Sequence, residues 1–174
     1  MTTQGRRLLW GLVLFVYGGL VHYLLFKLYT HWGYGVPGDE PLVPHRVTWV
    51  FITFVGGVYF VVFMLGSLRR ALGHASAGIF STILRGGLFG VLATLATLET
   101  FYILATVVLA TESQRAYPNE GNLLGSLILA FVEIHAYGLL TMIMTVPFDF
   151  CYGLMAGLFL AGAANTEILR IRSV

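Results

Sequence analysis

Four long apolar runs dominate the chain: Leu8 to Tyr29, Val47 to Leu68, Gly86 to Thr111 and Leu123 to Ala164. A helix crosses a ~30 Å hydrocarbon core with about 20 residues. The first three runs therefore each predict one membrane span, over 8–29, 47–68 and 86–111. The first follows Arg6-Arg7 and exceeds the ~7–15 apolar residues of a signal peptide, so it reads as a retained helix. Between the spans, 30–46 is rich in proline and glycine and 112–122 is polar; both read as loops. Trp32, Tyr34 and Trp49 suit the aromatic belt at a membrane interface. In 71–85, Leu72, Ile79, Phe80 and Ile83 predict one side of a short helix lying on the membrane surface.

The last run is too long for one straight crossing. Its 42 residues would extend ~63 Å as a helix, about twice a bilayer core. Pro147 is the proline inside it, and proline is tolerated in the first turn of a helix but not in its interior. The pattern predicts a fourth span over 123–145 and a fifth apolar helix over about 147–168, crossing, re-entrant or interfacial. Asp149 would then lie near the positive N-terminal end of that fifth helix.

Composition fixes the class. The chain has 174 residues, 57% of them apolar and 10% charged, with a net charge of +2; a soluble domain carries about 25% charged residues. Mean hydropathy is +0.83. A water-soluble globule and a nucleic-acid binder are excluded, and one cysteine, Cys151, precludes an internal disulfide framework. The expected fold is an all-α, polytopic membrane bundle in a single domain over 1–174, its partners the lipid bilayer and other membrane subunits or copies of itself. With the N-terminus in the cytoplasm, Arg6, Arg7, Arg69, Arg70 and Arg85 lie inside, against Lys27, Arg46 and Arg115 outside. The bias of basic residues favours that orientation, in an inner or plasma membrane. Arg170 and Arg172 agree with it after four crossings and not after five.

Ionisable residues at membrane depth cost ~2.5–3.5 kcal/mol on insertion scales and by default mark function. Glu99, Glu133 and His135 fall near the middles of the third and fourth spans, and His22 in the outer half of the first. Two carboxylates on adjacent antiparallel helices could share a proton, as in a relay or a cation site. Tyr102 and Tyr137 stand three and four residues from Glu99 and Glu133, close enough on the helix face to hydrogen-bond them. The competing reading is that each glutamate is interhelical glue. His135 and Glu133 are two residues apart, so they point about 200° apart around the helix and make poor co-ligands. His22 and His135 could hold a b-type haem only if both faced the interior at one depth. Gly153-x-x-x-Gly157 in the last run predicts close helix packing, within the subunit or against a partner.

No Walker loop, GxSxG, HExxH or CxxC occurs, which argues against an enzyme. The residues point instead to transport of protons, cations or a small solute past Glu99 and Glu133, in an oligomer or as a complex subunit. The alternative is a non-catalytic accessory subunit that docks partner helices through small-residue faces.

Overall fold

The computed structural model describes residues 3–31, 45–71, 78–116 and 122–172. Among these the chain forms four helices: α1 (Thr3–His31), α2 (His45–Ala71), α3 (Ile79–Ala116) and α4 (Leu123–Arg172). Gly78 and Asn122 are the described residues outside them. Each helix carries a segment long and apolar enough to cross a membrane, Arg7–Lys27, Val47–Ser67, Ile79–Arg115 and Met142–Ala163, so the all-α membrane bundle read from the sequence is what the chain folds into. The fourth crossing segment is Met142–Ala163 and not 123–145, because Leu123–Ala136 is a shorter apolar stretch. Asn122 caps α4: its Oδ1 accepts the Gly125 N–H at 2.6 Å, filling a donor that a helix start leaves unpaired, and its carbonyl accepts the Ser126 N–H at 3.1 Å as the first bond of the helix.

Two boundaries differ from the sequence pattern. Helical structure does not end near Val146. α4 runs 50 residues with Pro147 inside it, so the segment expected as a separate fifth helix is the second half of α4. Proline withholds the N–H that the carbonyl of residue 143 would accept, and its ring crowds that carbonyl. Packed neighbours can hold such a helix together, and the Pro147 ring lies on the exposed side of α4. Likewise, 79–85 is not a surface helix but the start of α3, with Ile83 and Thr82 against Gly157 of α4; Leu72 falls outside the described residues. α3 and α4 measure about 57 and 75 Å at ~1.5 Å per residue. They form an antiparallel pair in the most extensive contact of the molecule, followed by α1 with α2.

Glycine permits both pairings. A Cβ on Gly86 would strike the backbone of Gly153 and Gly157, and one on Gly90 would strike the Asp149 carbonyl. In the other hairpin, a Cβ on Gly19 would come within 2.8 Å of the Thr53 carbonyl, and one on Gly57 within 2.8 Å of the Phe15 carbonyl. Small residues allow such approach where lipid removes the hydrophobic drive between helices. Gly153 and Gly157 are thus spent on packing inside the subunit.

The two hairpins meet at an aromatic and aliphatic core of Leu14, Phe60, Met64, Tyr152, Ala156 and Leu160. The part of α4 in this core is its second half. Phe101 of α3 stands level with Phe26 near the end of α1, which shifts the bundled part of α3 toward its N-terminus relative to 86–111. Outward faces are apolar: Leu8, Leu12, Val16, Leu20 and Leu24 repeat every four residues along α1 and are about half exposed or more. Lipid is the solvent that suits them.

Gly153→Ala is expected to lower thermal stability in detergent by about 1–3 kcal/mol through overpacking against backbone. Gly66→Ala, where a Cβ meets nothing within 4 Å, should leave it unchanged or raised by up to ~1 kcal/mol through helix propensity.

Candidate functional site

Three helices bring polar side chains to one buried place. α1 contributes His22, α3 contributes Thr94, and α4 contributes Asp149 and Tyr152; all four are buried, Asp149 completely. Their positions follow from the glycine contacts. Gly56 of α2 lies directly under the His22 ring, where any Cβ would strike it. Gly90 lets α4 approach until the Asp149 backbone touches α3. Asp149 and Tyr152, three residues apart, share one face of α4.

Hydrogen bonds order the group. His22 Nδ1 lies 2.7 Å from the Gly18 carbonyl. A carbonyl only accepts, so Nδ1 carries a hydrogen. His22 Nε2 lies 3.3 Å from Thr94 Oγ1, and that hydroxyl is 2.9 Å from the Tyr152 hydroxyl. The Tyr152 hydroxyl also donates to the Gly90 carbonyl at 3.1 Å. With a neutral ring, Thr94 donates to Nε2. With a charged ring, Nε2 donates to Thr94, Thr94 to Tyr152 and Tyr152 to Gly90. The charged state fills all three contacts. The neutral state has one proton fewer and leaves Thr94–Tyr152 without a hydrogen while Tyr152 donates to Gly90. Tyr17 donates to the Tyr152 carbonyl at 2.9 Å and ties α1 to α4 beside the site.

Asp149 is the exception. Neither carboxyl oxygen has a hydrogen-bond partner, although no part of the residue is exposed. The hydroxyls of Thr94 and Thr145 stand beside it without hydrogen-bond geometry, and Thr145 donates to the Met142 carbonyl at 3.1 Å. A buried carboxyl in this position must be neutral or balanced by positive charge nearby. The basic group of the cluster is His22, bonded to Thr94, whose hydroxyl stands beside the carboxyl.

The residues singled out in the sequence separate into two places. His22 belongs to the buried cluster. Glu99 does not meet Glu133: it faces His135, with Oε1 3.3 Å from Nε2, while Glu133 is exposed. The reason is helical geometry. Residues 133 and 135 point to opposite sides of α4, and it is 135 that faces α3. Phe131 stacks on the His135 ring at 3.9 Å, and the Tyr102 ring stands 5.9 Å away. Tyr102 is buried against Gly138; the Tyr137 side chain lies outside the described residues. His22 and His135 face oxygens at positions 94 and 99 of α3, about 140° apart around that helix, so the structure does not bring them to one haem position. No group of three or more metal-ligating side chains occurs among the described residues.

Thr94 and Tyr152 do not stand out in the sequence. Asp149 was legible as an acid inside an apolar run, but its place after Pro147 made it look like the start of a helix. Thr94 and Tyr152 resemble ordinary residues of a span, and only the tertiary contacts distinguish them.

No protein-family model matches the chain, and neither a curated protein nor a solved structure is significantly similar to it.

Thr94→Val removes the hydroxyl between His22 and Tyr152 and is expected to cost about 1–3 kcal/mol, the scale for stranding a buried polar partner. Asp149→Asn keeps the volume and removes the ionisable group, so its thermal midpoint in detergent should be no lower than that of the unaltered chain. A large loss of stability in Asp149→Asn would mean that the carboxyl has a partner.

Proposed function

We propose that the protein transports protons across a membrane, by themselves or coupled to a solute, with His22, Thr94, Tyr152 and Asp149 as its central proton-binding group. One observation supports this above others: a completely buried carboxyl without a partner beside a hydroxyl, Thr94, that can donate to or accept from the His22 imidazole. A group that only held helices together would gain by pairing that carboxyl. A group that loads and unloads a proton needs it free to take one.

The elementary step is an exchange through one hydroxyl. Once the Thr94 hydroxyl beside Asp149 turns into hydrogen-bonding geometry with it, the Asp149 O–H bond breaks and its proton passes to Thr94 Oγ1. The proton already on Thr94 moves to His22 Nε2. The result is a carboxylate and an imidazolium in the same buried site, with no net change in protons. The seam between the two hairpins is the natural path, because His22 belongs to one hairpin and the other three residues to its neighbour. Four crossings place both chain ends on one side. The basic residues at 6, 7, 69, 70, 85, 170 and 172 favour the cytoplasm for that side, in a plasma or inner membrane.

A second reading, an accessory subunit of a larger membrane complex, is favoured by Glu133. It is exposed among Leu129, Val132 and Phe131, each 47–69% exposed. A carboxylate on an apolar helix face is costly, and a partner helix carrying a basic or hydroxyl group would relieve it.

Purified protein in vesicles loaded with a pH-sensitive dye separates these readings. Under an imposed potential, wild-type protein should carry protons, and Asp149→Asn should slow the flux by about 100-fold, the usual scale for losing a positioned proton-transfer group. Absence of flux, together with a partner protein retained through mild detergent extraction and released by Glu133→Leu, would favour the accessory subunit.

A further inference from the structure

We infer that Glu99 and His135 form a second proton-binding site, in which one exchangeable proton is held between Glu99 Oε1 and His135 Nε2. The site itself rests on proton counting. Its place as the outward exchange position of the relay rests on the transport reading above.

The His135 ring is anchored at one end. Nδ1 lies 2.8 Å from the Phe131 carbonyl, and since a carbonyl only accepts, Nδ1 carries a hydrogen. In a neutral ring Nε2 is then a bare lone pair. It stands 3.3 Å from a carboxyl oxygen, and an ionised carboxylate offers lone pairs alone. A neutral ring and an ionised carboxylate would place two acceptors against each other with nothing between them. The contact is attractive only with one more proton, written either as N–H⁺ facing O⁻ or as N facing H–O. The pair therefore binds a proton that neither ordinary neutral histidine nor ordinary ionised glutamate brings.

The surroundings suit exchange. The Glu99 side chain is 46% exposed and that of His135 22%, in contrast to the sealed cluster at Thr94. Five residues separate Glu99 from Thr94, about 7.5 Å along α3. Phe131 stacks on the imidazole and Tyr102 borders it, which fixes the ring plane. Among titratable neighbours, Tyr102 faces the pair from α3. On α2, Tyr59 is engaged with Thr100 at 2.9 Å. Glu133 of α4 is exposed and two residues from His135, on the opposite side of that helix. The Thr97 and Thr100 hydroxyls donate to carbonyls of their own helix, Ala93 at 2.7 Å and Ala96 at 2.8 Å. They do not join the two sites, so the Glu99–His135 contact stands apart from the cluster at Thr94.

The two histidines share one construction. Each ties Nδ1 to the carbonyl four residues earlier, Gly18 for His22 and Phe131 for His135. Each turns Nε2 to an oxygen on α3. The fold thus presents two imidazoles with the same fixed tautomer and the same exchangeable nitrogen, one sealed and one partly open.

Nitrogen-15 NMR of histidine-labelled protein in lipid nanodiscs tests the site without any transport assay, the His135 signal being assigned by its loss in His135→Phe. At neutral pH, His135 Nε2 should be proton-bonded in wild-type protein and should revert to an unprotonated acceptor in Glu99→Gln. Glu133→Gln should leave the signal unchanged. An unprotonated, unbonded Nε2 in wild-type protein, or a His135 signal identical in wild type and Glu99→Gln, overturns the proposal. The carboxyl infrared band of Glu99 is a second readout in wild-type protein. It should change together with the His135 signal as the pH is raised, and independent titrations also overturn the shared proton. Asp149→Asn separates the two ideas: if that variant transports normally, the transport reading fails, while the His135 signal still decides whether the pair holds its proton.

Discussion

The structure depends on backbone meeting backbone between α3 and α4. Gly86 and Gly90 on one helix face Gly153, Gly157 and the main chain of Asp149 on the other, at separations that leave no room for a Cβ. In lipid such contact substitutes for the hydrophobic effect, because apolar side chains gain little by leaving apolar solvent. It also has a chemical consequence. Once the two helices are this close, the residue on α4 opposite Gly90 can neither turn to lipid nor reach water. That residue is Asp149. The contact that holds the hairpin together is also the one that seals a carboxyl inside it.

The second hairpin repeats the device with Gly19 against the Thr53 carbonyl of α2 and Gly57 against the Phe15 carbonyl of α1, but the seam between the hairpins is built differently. There, aromatic rings and directional hydrogen bonds predominate: Tyr17 to the Tyr152 carbonyl, His22 to Thr94, Tyr59 to Thr100. Dispersion contacts between close backbones resist separation uniformly. Hydrogen bonds through hydroxyls can be exchanged for others at small cost, since a hydroxyl both donates and accepts. Close backbones therefore hold each hairpin, and rings and hydroxyls join the two, with His22 meeting Thr94 across that seam.

Much of the architecture was readable from hydropathy because lipid imposes a simple rule: helices of about 20 apolar residues, with their backbone polar groups satisfied internally. The rule says nothing about helices that outgrow the bilayer together. Length alone demanded a break at Pro147; pairing with α3 removed the demand, and α4 stayed continuous. The site was less readable for a related reason. Glu99 and Glu133 attracted notice because carboxylates are conspicuous in apolar sequence, yet which side of α4 faces α3 depends on tertiary packing, and that side carries His135. Asp149 is equally conspicuous, but its place two residues after Pro147 suits the start of a helix as well as a buried site. Thr94 and Tyr152 have no local signature, because their role consists entirely in which residues of other helices they touch.

The two histidines show what such packing adds to a sequence. An isolated imidazole in an apolar helix has two equivalent choices of tautomer and several of orientation. A carbonyl one turn earlier takes the Nδ1 hydrogen and removes the first choice, and a neighbouring helix removes the second by placing an oxygen before Nε2. What remains is a nitrogen whose only freedom is whether it holds a proton. At His22 the facing oxygen belongs to a hydroxyl, which can answer either state by rotating. At His135 it belongs to a carboxyl, which cannot rotate a lone pair away and must share a proton instead. The same ring, anchored in the same way, thus becomes a switchable link in one place and a proton-holding site in the other, and the difference is set by a single residue of α3 at each position.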